Sequence, residues 1–168
     1  MYLQIFRQLT KQLAQMDTWL GAAVAHAEAK GFDVDVLVGQ RLAPDQFALA
    51  RQVQIACDTA RLGASRITGK EAASKADEET TIEALRARIA FTLTALGDLA
   101  ESDFEGAEER TVTQSRWKGQ VMVTGDYLLE HVMPNFYFHT AHVYAILRHN
   151  GVAVGKRDYL GTLSKRQP

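Results

Sequence analysis

Along the first thirty positions the apolar residues fall at Tyr2, Phe6, Leu9, Leu13, Met16, Leu20, Ala23 and Ala27. Steps of three and four residues keep side chains on one face of a helix, so the pattern predicts one long amphipathic helix from Tyr2 to Lys30. Lys30 and Gly31 end it with a cation in the last turn and a residue suited to a left-handed cap. A second stripe, Leu49, Val53, Ala56, Ala60, Gly63 and Ile67, follows Pro44-Asp45 and places helix 2 over Asp45 to Ile67. A third, Ile82, Leu85, Ile89, Leu93 and Leu96, begins at a capping-box pattern in which Thr80 and Glu83 serve each other's backbone amides. It is expected to stop near Ser102, with Arg86 and Arg88 outward. Between Thr111 and Thr124 the period falls to two: Val112, Trp117, Val121 and Val123 around Lys118-Gly119 predict a small hairpin. A short helical turn over Tyr127 to Met133 then leads to a proline.

From Pro134 to Gly151 the apolar density rises: Phe136, Phe138, Val143, Ala145, Ile146 and Leu147 cover more than one face, predicting a mostly buried last helix. One polar stripe runs through it, with Asn135, His139 and His142 at i, i+4 and i+7. The fold class expected is all-α, a four-helix bundle with a small β-hairpin inserted before the last helix. It forms one domain over 1–163, with Gly151 to Gly161 packed back across the bundle end and 164–168 frayed.

Composition narrows the function classes. With 46% hydrophobic residues the chain can bury one core, and its net charge of −1, with scattered cations, argues against nucleic acid as a partner. A single cysteine, Cys57, excludes an intramolecular disulfide and reads as a buried inert thiol. No basic region followed by an apolar run opens the sequence, and no apolar stretch approaches the ~20 residues that span a bilayer. A cytoplasmic protein without membrane partners is expected.

Two histidines on one helix face can share a metal ion, with a facing helix completing the shell. His139, His142 and Asp58 are the ligands such a site would use, for zinc, nickel or iron. The other reading keeps the same residues metal-free, with His139 and His142 hydrogen-bonded to Asn135, Gln54, Asp58 or tyrosine hydroxyls in a packed interior. Around Gln54 and Asp58, the stripe Arg51, Gln54, Asp58, Arg61 is either a solvated face or one that turns toward the histidine helix. His149 fits the C-terminal dipole, and His26 and His131 read as surface residues. No serine or threonine sits in a nucleophile elbow, and Gly-Lys at 69–70 and 155–156 lacks a glycine-rich cradle.

The run from His139 through Leu147, Arg148 and Gly151 resembles the last-helix signature of the DinB/YfiT-like bundles, in which His-Arg-Gly-Gln precedes Leu-Arg and Gly. His142 takes the place of the glutamine. Pro134-Asn135-Phe136-Tyr137-Phe138-His139 with the Gly155-to-Tyr159 segment looks like an uncharacterised bacterial branch of that superfamily, a domain of unknown function. The resemblance implies a bundle, often a homodimer, with a divalent metal on three histidines, one from helix 2 and two from the last helix. His139 matches one of the three. Asn135 stands at another, and helix 2 has no histidine, leaving Gln54 or Asp58 at the third position. Three readings follow: a metal-free polar pocket around Asn135, His139 and Gln54 for an unknown small molecule; a metal-dependent hydrolase or thiol-transferase-like enzyme on His139, His142 and Asp58; or a dimeric, stress-associated interaction protein.

Overall fold

A computed structural model describes residues 1–167 of the chain. Its main helices are α1 (Tyr2–Lys30), α2 (Leu49–Thr68), α3 (Ile82–Gly97) and a final long helix made of α4 (Thr124–Asp126), a π-helical turn (Tyr127–Val132) and α5 (Met133–His149). A short α6 (Lys156–Leu160) follows. α1 runs the full predicted length and ends at Gly31, whose φ of 73° is the left-handed cap. Leu9, Leu13, Met16, Trp19 and Leu20 are fully buried along it. α3 and α5 each pack against both α1 and α2, so α1 and α2 are diagonal in the bundle.

The helix starts differ from expectation where other groups take the first backbone amides. α2 begins four residues after Pro44-Asp45, because Leu49 and Ala50 donate their amides to the carbonyls of Gln40 and Val38 instead of entering a helix from Pro44. At α3 the cap is Thr81, not Thr80: its Oγ1 accepts from the Ala84 amide at 3.0 Å. The short turn over 127–133 is not separate from the last helix. Pro134 lies inside a continuous helix, directly after the π turn, where its missing N–H and bulky ring are tolerated.

The hairpin is present in small form. β1 (Thr111–Val112) pairs antiparallel with β2 (Met122–Val123), Thr111 opposite Val123. Lys118 (φ 51°) and Gly119 (φ 87°) turn the connecting loop. Trp117 in that loop lies edge-on to Tyr127, 6.0 Å between centroids, which ties the hairpin to the π turn. The C-terminal segment packs back as expected: Tyr159 stacks on Trp19 at 5.4 Å, and Trp19 Nε1 donates to the Asp158 carbonyl at 3.1 Å. The tail expected over 164–168 includes Pro168, outside the described residues. No helix among the described residues is long and apolar enough to cross a membrane.

Candidate functional site: the groove between α2 and the last helix

α2 and the last helix run antiparallel, joined by three polar rungs. His139 Nδ1 meets Gln52 Oε1 at 2.7 Å, Asn135 Nδ2 donates to Thr59 Oγ1 at 2.7 Å, and Arg66 Nη1 donates to the Tyr127 hydroxyl at 2.9 Å. From Gln52 to Arg66 is about 21 Å at 1.5 Å per residue. A cavity of ≈ 400 Å³ opens along this line, and Tyr127, His131, Asn135 and His139 all face it. Four-residue steps on an α-helix drift by about 40° each. The π turn carries an extra residue and takes up that drift, so the four stay on one side.

His139 is 6% exposed. Gln52 Nε2 donates to the Phe47 carbonyl, so its Oε1 must accept, and His139 carries its proton on Nδ1. Its Nε2 is left as a lone pair with no hydrogen-bond partner among the described residues. Burial, helped by nearby His142 and Arg51, pushes this imidazole down to about 4, so the ring is neutral at pH 7. His142 is fixed too, its Nδ1 donating to the Phe138 carbonyl at 2.7 Å and its Nε2 accepting from Gln46 at 3.2 Å.

Gln54 stands elsewhere, and Asp58 lines the cavity without bonding to either histidine. Gln54 Nε2 donates to Glu79 at 2.9 Å, and Asp58 Oδ1 lies 2.9 Å from both Arg61 and Arg88. Their stripe turns chiefly to α3 and the 69–81 segment, with Arg51 and Asp58 also on the cavity wall. Arg88, expected outward, is fully buried there, because Asp58, Asp77 and Glu79 converge on it. Gln52 does what was expected of Gln54. Its signal is its place on the apolar stripe, between Leu49 and Ala56. Cys57 is buried, and desolvation pushes its thiol up to about 12, an inert group.

His131, read as a surface residue, stacks on Tyr127 at 5.2 Å and accepts from Arg116 at 2.7 Å. Arg116 and Gln114 arrive from the hairpin loop, and Gln114 also lines the cavity. Burial, then Arg116 and Arg66, hold the His131 pKa below its ordinary value.

A domain of unknown function, DUF1993, matches residues 1–160. The chain belongs to the DUF1993 family. Among solved structures, this DUF1993 chain is similar to a DinB family member protein from Shewanella denitrificans. The TM-score is 0.93 and the identity 47%, covering 97% of this chain and 93% of that one. The DUF1993 domain is therefore DinB-like in fold, a helical bundle with a small hairpin. No curated protein matches the sequence.

The three-histidine ion site implied by the resemblance does not fit the residues present. The Asn135 amide is spent on Thr59, the Asp58 carboxylate on two arginines and the His142 ring on Gln46 and Phe138. Among the described residues no three His, Cys, Asp or Glu side chains gather to hold an ion. The position across from His139 carries an amide, Gln52.

Proposed function

We propose that this DUF1993 protein binds a small organic molecule in the α2–α5 groove, without a metal ion, and that His139 Nε2 accepts a hydrogen bond from it. One observation carries the reading: the Phe47 carbonyl, Gln52 and His139 form a relay that fixes the imidazole as the Nδ1–H tautomer and leaves one lone pair for the groove. Metal-ligating histidines use the same device, with a carbonyl or carboxylate orienting the ring. Here the other ligands of such a shell are missing, and a donor on an organic ligand takes the ion's place. Exposed Phe47 and Phe138 beside His139 offer apolar contact at that end.

Two measurements on protein produced without a histidine tag test this. Metal analysis is expected to find no stoichiometric zinc, nickel or iron. Nitrogen NMR of the imidazoles is expected to show His139 as the Nδ1–H tautomer, with Nε2 responding to an uncharged probe such as benzyl alcohol. Stoichiometric metal that disappears in His139→Ala overturns the reading.

A further inference from the structure

We propose that the groove's far end, bounded by Arg66, Arg116, Gln114, Tyr127 and His131, is a subsite for an oxyanion, the carboxylate or phosphoryl group of the small molecule; this rests on the groove being a ligand site. The inference comes from counting donors and acceptors. Arg66 and Arg116 each hold one neutral partner, the Tyr127 hydroxyl and His131 Nε2. Because an arginine only donates, His131 Nε2 accepts, and the ring's proton sits on Nδ1. That Nδ1–H is buried with no acceptor, and so is Gln114 Nε2. Such orphaned donors are uncommon in folded proteins.

No acid answers them. Among the described residues neither Arg66 nor Arg116 has a carboxylate within ion-pair distance. Asp58 lines the same cavity but is held by Arg61 and Arg88, and exposed Glu130 pairs with neither arginine. The stacked Tyr127 and His131 rings bring the two cations to one place, each arginine bonded to one ring of the pair. Two guanidiniums without a carboxylate partner recognise an anion with several acceptor oxygens. Toward His139 the wall turns apolar at Ile55 and Leu62, so the complete ligand has an anionic head and an apolar body.

Titrations of the full chain with inorganic phosphate, phenyl phosphate, benzoate and benzyl alcohol, read by thermal shift and by NMR of the arginine side chains, separate the possibilities. Phenyl phosphate or benzoate is expected to bind, and whichever is tighter names the head group. Arg116→Gln, at an exposed position that folding tolerates, is expected to weaken binding by about tenfold or more, as is Arg66→Gln, while Arg148→Gln on the far surface has no effect. Benzyl alcohol binding as well as the anions, unchanged in Arg116→Gln, overturns the subsite and leaves the groove reading standing. Anion binding that depends on Arg116 supports the subsite, and benzyl alcohol that never perturbs His139 overturns the groove reading instead. Anions that bind equally well to wild type and Arg116→Gln overturn the subsite.

Discussion

On one side of α2, Arg88 is fully enclosed: Nη2 lies 2.9 Å from Asp58 and 2.8 Å from Asp77, while Nη1 reaches Glu79 at 3.1 Å and the Ala76 carbonyl at 2.9 Å. On the other side, Arg66 and Arg116 face a cavity and touch only neutral groups. Burial alone would weaken the Arg88 charge, but Asp58, Glu79 and Asp77 outweigh it and hold its pKa above the ordinary value. The first cluster is electrically closed and pins the 69–81 segment, which has no regular structure, onto the bundle. The second is open. Charge that is answered inside the chain builds structure, and charge left unanswered beside a cavity marks where something else binds.

The largest effect is expected at the closed cluster. Arg88→Met leaves Asp58, Asp77 and Glu79 facing one another, and removing one partner of a buried ionic cluster costs about 3–5 kcal/mol. Urea denaturation checks this, and a loss below about 1 kcal/mol would show that the cluster does not pin the segment.

Acid sharpens the groove side. His139 titrates near 6.5 when unfolded and at about 4 when folded, so the unfolded chain takes up the proton first. Stability is complete above pH 6.5, falls as the pH drops toward 4, and levels below that. The loss attributable to this ring is on the order of 3 kcal/mol. It is read as the difference between stability-versus-pH curves of wild type and His139→Gln; parallel curves would mean that the ring protonates freely in the folded protein.

Smaller effects separate the middle rung from the rim. Asn135→Ala breaks a single neutral hydrogen bond to Thr59 and is expected to cost about 1 kcal/mol, with Thr59→Ala adding little more in the double mutant. Non-additivity of that kind in thermal melts confirms the rung, whereas full additivity denies it. Arg51 pairs with Asp77 at 43% exposure, and Arg51→Ala is expected to cost no more than about 1 kcal/mol, vanishing in high salt.

The bundle itself was legible because apolar spacing dictates it: α1 was readable to both ends, and the hairpin from its change of period. The polar interior was harder. Gln12, Gln52 and Arg88 are buried, and each sits on an apolar stripe, three residues after Leu9, Leu49 and Leu85. A polar residue on such a stripe signals an interior partner, yet side-chain type drew attention to Gln54 and Asp58 on the neighbouring stripe. His139 was readable as inward-facing, but its partner depended on a three-dimensional register between helices that spacing within one helix does not reveal. Arg116 and Gln114 were beyond reach for the same reason: they come from a loop whose position depends on the edge-on contact of Trp117 with Tyr127.

The wide turn over Tyr127–Val132 stores this alignment in a single surplus residue. Winding the same residues as ordinary α-helix would swing everything upstream by about 100° about the helix axis. Tyr127 would leave the cleft while Asn135 and His139 stayed, severing the aromatic pair from the rest of the polar ladder. The surplus residue is thus accommodated only while the turn stays wide.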